Sequence, residues 1–121
     1  MKAVLDTNIL VDFLRGIPQA KQEIERYEEA HISLITWIEI LVGAEDEEEA
    51  EQLRAFMRRF VLEQIDPTTA ERAVDLRRRH RMRLPDAVIW ATALELGYIL
   101  VTRNTRDFPS DHPSIRIPYQ I

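Results

Sequence analysis

The 121-residue chain contains no cysteine and only three glycines. The missing cysteines exclude disulfides, zinc–thiolate sites, iron–sulfur clusters and thiol nucleophiles. Because Gly16, Gly43 and Gly97 form neither a dinucleotide fingerprint nor a P-loop, the common nucleotide-binding motifs are excluded too. The chain also lacks a Gly-x-Ser-x-Gly elbow and has no histidines at metal-ligand spacing. Serine hydrolases and zinc enzymes are therefore disfavoured.

Lysine is scarce as well, since fourteen of the sixteen basic residues are arginine. With lysine only at Lys2 and Lys21, an aspartyl-phosphate enzyme built on Asp6 lacks a well-placed ammonium, so phosphotransfer is disfavoured. No apolar run has the length of a signal peptide or of a bilayer-spanning helix. These absences predict a soluble, cytoplasmic protein without membrane contact. The net charge of −5 argues against nonspecific electrostatic capture of nucleic acid.

Short aliphatic and β-branched runs alternate with amphipathic helical patterns along the whole chain. The length and the hydrophobic content of 45% suit one domain spanning residues 1–121. Strands that alternate with helices predict an α/β fold with a parallel sheet. Five strands are predicted, over residues 3–5, 32–35, 61–62 with Ile65, 98–101 and 115–117.

Residues 87–96 are apolar on nearly every side, which predicts a central buried helix that Gly97 closes in a left-handed cap. Thr68 and Glu71 have the spacing of a capping box and predict the start of another helix. Trp37 and Trp90 lie within apolar helical patterns, which favours a place in the core over base stacking.

Four carboxylates stand where predicted elements meet. Asp6 ends the first strand, Glu39 follows the second, Asp86 opens the buried helix and Asp107 follows the fourth strand. The carboxyl ends of parallel strands share one sheet edge, where ligands bind in open α/β folds. Crowded carboxylates either take up protons or require a cation, and oxygen ligands without His or Cys suit Mg²⁺ or Mn²⁺. Such an ion can polarise a phosphate and activate water, so the pattern indicates phosphodiester hydrolysis.

Each carboxylate also has a purely structural interpretation. Asp6 stands where a helix N-cap is expected. Glu39 follows Thr36 by three residues, so its carboxylate could close a second capping box instead of meeting a metal. Stabilisation of the helix dipole would account for Asp86.

Arginines surround the predicted site. Arg103 and Arg106 flank Asn104 after the fourth strand, where guanidinium groups could bind RNA phosphates. Asp107 could alternatively order a turn with Asn104. Five further arginines fall within residues 77–83, and some should lie near the acidic cleft, although a solvated helix end explains most of them.

Four motifs occur in the order seen in a known family. They are Leu5-Asp6-Thr7-Asn8-Ile9-Leu10, Thr36 to Glu39 with Gly43, Leu84-Pro85-Asp86-Ala87 with Ala91-Thr92-Ala93, and Thr102-Arg103-Asn104-Thr105-Arg106-Asp107-Phe108. This order resembles the PIN domain and, more narrowly, the VapC-type ribonuclease toxins of type II toxin–antitoxin systems. The resemblance runs from end to end of the chain.

The resemblance implies a three-layer α/β/α sandwich with a five-stranded, mainly parallel sheet of order 3-2-1-4-5. It also implies an endoribonuclease that depends on Mg²⁺ or Mn²⁺. Asp6 and Asp86 would be the principal metal ligands, and Glu39 would complete the site through water or help to activate the nucleophile. Asn104 stands at a fourth family position that is often Asp, so Asp107 would supply the missing charge. Supporting roles fall to Thr7, Asn8, Thr102 and Asn104.

The resemblance further implies an RNA substrate, a homodimer and a cognate antitoxin that neutralises the enzyme. Two other hypotheses for the function involve the same acidic residues. A degenerate PIN fold would keep its carboxylates for stability and act as a non-catalytic RNA- or protein-binding module. A metal-dependent phosphatase or DNA nuclease would share the site and differ only in substrate.

Overall fold

Five parallel strands form one sheet in the order β3-β2-β1-β4-β5, with six helices around it. The computed structural model describes residues 1–121. The predicted sheet order is therefore confirmed. The elements are β1 (Lys2–Leu5), α1 (Thr7–Leu14), α2 (Pro18–Glu25), β2 (Glu29–Ser33), α3 (Leu34–Val42), α4 (Glu47–Met57), β3 (Val61–Glu63), α5 (Pro67–His80), α6 (Leu84–Leu96), β4 (Ile99–Val101) and β5 (Ile115–Arg116).

Helices cover both faces of the sheet, which makes three layers. Val4 and Leu100 point to a core shared with α5 and α6, whereas Ala3, Leu5 and Ile32 point to a core shared with α1 to α4. A parallel sheet buried on both faces needs apolar residues at consecutive strand positions, which is why Ala3 to Leu5 of β1 and the whole of β4 are apolar runs without alternation.

The second strand lies earlier than predicted. It was expected over residues 32–35, but β2 ends at Ser33, and Leu34 begins α3. The Ser33 hydroxyl accepts a hydrogen bond from the amide of Ile35 at 3.2 Å and caps the helix. Thr36 is therefore inside α3, and the proposed capping box between Thr36 and Glu39 is wrong. A β-branched run next to Ser fits both a strand and a capped helix, and the cap decides here.

The fifth helix also begins earlier than predicted. Asp66, and not Thr68, is the N-cap of α5, and its carboxylate accepts from the amide of Thr69 at 2.8 Å. Pro67 occupies the first helical turn, where its missing N–H costs nothing. Three strands are shorter than predicted, since Ile65, Tyr98 and Ile117 fall outside β3, β4 and β5.

The central helix α6 is confirmed. Residues 86–93 are all buried, and Gly97 ends the helix with a φ of 73°. Trp90 is only 1% exposed, and its indole N–H donates to the Ser114 hydroxyl at 3.0 Å. Trp90 is thus a core residue and cannot stack on a base. No helix combines the length and the hydropathy that a bilayer crossing requires.

Candidate active site

Asp6 lies at the edge of the sheet where the strand order reverses, between β1 and β4. It follows β1, caps α1, and is 4% exposed. Its Oδ1 accepts from the Thr7 amide at 2.7 Å, and its Oδ2 accepts from Asn8 Nδ2 at 3.1 Å and from the Thr102 hydroxyl at 2.7 Å. The capping interpretation is therefore correct, but the same carboxylate also faces the crevice in which α/β folds bind ligands. One residue serves both purposes.

The surroundings of Asp6 disfavour its negative charge. Burial raises the pKa of Asp6 to about 6, and the charges of Asp86 and Glu39 act in the same direction. The hydrogen bonds from Thr102 and Thr7 oppose this shift but do not cancel it. A carboxylate in this position is one that an added cation would stabilise strongly.

Glu39 reaches the same crevice from α3. Its Oε1 accepts from the Thr7 hydroxyl at 2.8 Å, and that hydroxyl lies 2.9 Å from the hydroxyl of Thr36. Because Thr7 has one hydroxyl proton and gives it to Glu39, Thr36 must donate to Thr7. The relay from Thr36 through Thr7 fixes Glu39 toward Asp6, and Glu39 does not fold back onto the Thr36 backbone.

Asp86 comes from the first turn of α6 and has only one side-chain partner. Arg83 donates to it from Nε at 3.1 Å and from Nη2 at 3.4 Å. The Asp86 side chain is 5% exposed and the Arg83 side chain is 65% exposed. Arg83 is a functional candidate that the sequence did not single out from the arginines of residues 77–83.

The three carboxylates line one cleft of about 250 Å³. The lining residues are Asp6, Thr7, Asn8, Val11, Glu39, Arg83, Asp86 and Asn104. The predicted gathering of Asp6, Glu39 and Asp86, which are distant in sequence, is what the structure shows. Of their polar neighbours, Asn8 and Asn104 also line the cleft, and Thr102 is buried behind Asp6.

Asp107 lies outside this cleft, in a neighbouring polar trough of about 490 Å³. Its Oδ2 accepts from Asn104 Nδ2 at 2.9 Å, and its amide donates to Asn104 Oδ1 at 3.1 Å. These bonds are the turn-forming arrangement that was the alternative interpretation of Asp107, and the structure does not place Asp107 in the crevice of Asp6 and Glu39, as the sequence predicted. Asn104, which lines both cavities, stands between Asp107 and the three carboxylates.

Arg103 points away from the cleft. Its guanidinium donates to Asp12 from Nε at 2.5 Å and from Nη2 at 2.9 Å, and the Tyr119 hydroxyl donates to the same carboxylate at 2.8 Å. Burial alone would raise the pKa of Asp12, but these hydrogen bonds outweigh it and hold that pKa below its usual value. The Arg103 amide also donates to Asn8 Oδ1 at 3.3 Å, so the pair with Asp12 anchors the strand end that holds Asn8 against Asp6.

Asp12 is the other important residue that sequence reasoning missed. It is fully buried in α1 beside Ile9 and Leu10. A carboxylate on the apolar face of an amphipathic helix was the available signal, because charged side chains are almost never fully buried without a partner. The sequence offered no way to identify Arg103 as that partner.

The donor set fits a hard divalent cation. No three His, Asp or Glu side chains are grouped closely enough to hold a metal ion by themselves. Mg²⁺ does not require three such side chains, because it keeps several waters and binds through one or two carboxylates together with substrate phosphates. Asp6 and Asp86 could supply the two carboxylates, and the cleft contains a single cationic side chain against three anionic ones.

A pH dependence of stability follows from Asp6. In chelator, the unfolded chain loses this proton near pH 4 and the folded chain near pH 6, so ionisation costs stability across that interval. The stability of the wild type relative to D6N, measured as the difference between their free energies of unfolding, should therefore fall by roughly 2.5 kcal/mol between pH 4 and pH 7. Urea denaturation at the two pH values measures this difference. A difference independent of pH would favour the alternative in which the carboxylates serve only the fold.

Comparison with known proteins agrees with this geometry. Residues 3–110 match the family model described as PIN domain. The chain is similar to a protein in a toxin–antitoxin complex from Klebsiella pneumoniae, with 42% identity, a TM-score of 0.91, and coverage of 98% of this chain and 99% of that one. No curated protein matches the chain in a sequence comparison.

Two more distant structures share the fold. One is DNA-bound VapBC from Salmonella typhimurium, with 24% identity, a TM-score of 0.79 and 96% coverage of both chains. The other is VapBC2 from Rickettsia felis bound to a promoter DNA fragment, with 22% identity, a TM-score of 0.78, and coverage of 95% of this chain and 96% of that one.

Proposed function

The chain belongs to the PIN-domain family, and on this basis we propose that it is the toxin of a toxin–antitoxin pair and acts as a metal-dependent endoribonuclease. One observation carries the proposal. Asp6, Glu39 and Asp86 come from three separate segments and line a single cleft. The similarity to a protein in a toxin–antitoxin complex supports the biological role.

Each residue of the cleft has a task in this proposal. Bound Mg²⁺ or Mn²⁺ would polarise the scissile phosphate and lower the pKa of water. Asp6 and Asp86 would hold the ion, and Asn8 and Thr102 keep the Asp6 carboxylate in its orientation through the bonds to Oδ2. Glu39, held by Thr7, accepts the proton of the attacking water.

The substrate class follows from the neighbouring trough. Arg83, Arg103 and Arg106 line it together with Asn104, next to the carboxylate cleft. Guanidinium groups beside a hydrolytic centre suit the backbone phosphates of a polynucleotide. Arg106 is exposed, whereas the charge of Arg103 is already paired with Asp12, so Arg106 is the better candidate of the two predicted contacts. RNA is preferred to DNA on the family relationship alone.

Cleavage by the purified chain tests the function. A fluorogenic single-stranded RNA should be cut in Mg²⁺ or Mn²⁺ and left intact in EDTA, with activity restored when the metal is returned. A single-stranded DNA of the same sequence serves as the comparison substrate. Undiminished RNA cleavage in chelator would contradict the metal-dependent reaction, and preferential cleavage of the DNA would favour a DNA nuclease.

The proposed partners are a cognate antitoxin and a second copy of this chain. Expression of the chain should arrest growth of a host cell, and co-expression of the product of a short adjacent reading frame should restore it. Light scattering on the purified chain measures the expected homodimer. Growth arrest that no adjacent gene product relieves would argue for an RNA-processing role.

A further inference from the structure

Arg83 stands where the two cavities of the site meet. The carboxylate cleft and the arginine-lined trough share three residues, Asn8, Arg83 and Asn104. Arg83 is the one cationic side chain of the cleft. Its hydrogen bond to Asp86 and the charge of Asp86 raise the pKa of Arg83, and the charges of Glu39 and Asp107 add to this more weakly. Arg83 therefore lines both cavities. The carboxylates of the cleft would be stabilised by a cation, and the arginines of the trough could bind an anionic ligand.

The pair between Arg83 and Asp86 is asymmetric. Asp86 is buried and fixed in α6, whereas Arg83 precedes the helix and has a largely exposed side chain. The two hydrogen bonds, of 3.1 and 3.4 Å, occupy both oxygens of Asp86. Arg83 is exposed and can move, but the buried Asp86 would be left without a counter-charge, so Arg83 leaves at small cost only when another cation takes its place.

A metal ion and Arg83 compete for the same carboxylate. Each oxygen of Asp86 can accept more than one bond, so Arg83 weakens metal coordination through charge, because two cations on one carboxylate repel each other. The guanidinium, once displaced, needs only to turn into the trough that it already lines beside Arg106. A phosphate in that trough would offer the planar guanidinium two non-bridging oxygens, and so a bidentate contact like the one it left.

We propose that Arg83 is an exchangeable counter-ion, which neutralises Asp86 in the metal-free protein and transfers to a substrate phosphate when a divalent cation binds. This inference rests on the proposed nuclease function. It makes metal binding and substrate binding mutually supportive, because each ligand favours the position of Arg83 that the other requires. Arg83 binds and positions substrate in this scheme and takes no part in proton transfer.

Mn²⁺ affinity without RNA tests the first half of the proposal. Removal of the competing charge in R83Q should tighten Mn²⁺ binding by about tenfold, the effect that Coulomb's law gives for one charge near a divalent ion at a water-like dielectric constant. R83K, which keeps the charge, should remain near the wild type. The matched control is R79Q, since Arg79 is an exposed arginine of the same run that pairs with Asp75 at 3.1 Å, away from both cavities. Isothermal titration calorimetry on the full chain measures all four proteins.

RNA binding tests the second half. At saturating Mn²⁺, R83Q should raise the KM for single-stranded RNA several-fold and reduce the salt dependence of KM by about one phosphate contact. R79Q should change neither quantity. Melting temperatures in EDTA confirm that the variants are folded.

The two experiments together distinguish failure of the proposed exchange from failure of the proposed function. Tighter Mn²⁺ binding together with a higher, less salt-dependent KM supports the exchange. Mn²⁺ affinity that is unchanged or weaker in R83Q overturns it, as does tighter metal binding with an unaltered KM. If the wild-type chain itself binds no Mn²⁺ and cuts no RNA, the proposed function fails and not the exchange alone.

Discussion

D86N is expected to reduce RNA cleavage roughly a thousandfold or more without unfolding the protein. The substitution removes one of the two carboxylates assigned to the metal, and a catalytic metal contributes several kcal/mol to transition-state stabilisation. Asp86 accepts side-chain hydrogen bonds only from the exposed Arg83, so an amide of the same shape disturbs little of the core. Cleavage rates at saturating RNA and Mg²⁺ measure the effect.

The matched control for this prediction is D75N. Asp75 is an exposed carboxylate on α5, paired with Arg79 and remote from the cleft, so D75N should cleave RNA at the wild-type rate. If D86N were equally active, Asp86 would have no role in catalysis. Loss of activity in D75N would instead point to a general effect of charge.

R103A is expected to lower the free energy of unfolding by about 3 kcal/mol. The substitution leaves the Asp12 carboxylate, which is 1% exposed in the folded protein, with Tyr119 as its remaining side-chain partner, and water entering the space left by Arg103 replaces only part of the lost interaction. R106A, which removes an exposed arginine from the same loop, should cost less than about 0.5 kcal/mol. Urea denaturation of both variants gives the comparison.

A second substitution separates the lost charge partner from lost packing. In D12N/R103A the buried charge is gone, so part of the lost stability should return. If R103A costs no more than R106A, the pair with Asp12 does not hold the strand end, and Arg103 is free for the phosphate-binding role that the sequence suggested.

The sheet order was available from the sequence because the motif order identified the family and the apolar runs agreed with a buried parallel sheet. The element boundaries were less accessible. Ser33 and Asp66 are the N-caps that set the starts of α3 and α5, and both were overlooked in favour of Thr36 and Thr68. Each of these caps is one of several Ser, Thr and Asp residues within a few positions, and only the three-dimensional path of the chain selects among them.

Asp6 and Asp86 were predictable because each stands directly beside a recognisable strand or helix end, whereas Glu39 lies inside α3 and was predicted from the resemblance to the family. The two arginines were not, because their roles depend on contacts between distant residues. Arg103 pairs with Asp12, ninety-one positions earlier, and Arg83 gains its importance from its position between two cavities. A local sequence pattern shows neither the contact between Arg103 and Asp12 nor the position of Arg83 between the cavities.

The most direct test of the account is to locate the metal. Crystals of the wild-type protein soaked in Mn²⁺ should give an anomalous difference peak in the cleft, within coordination distance of Asp6 and Asp86, with Glu39 reached directly or through water. Cleavage-competent protein whose crystals carry no peak there, or carry one only elsewhere on the surface, would contradict the assignment of these carboxylates as the catalytic centre.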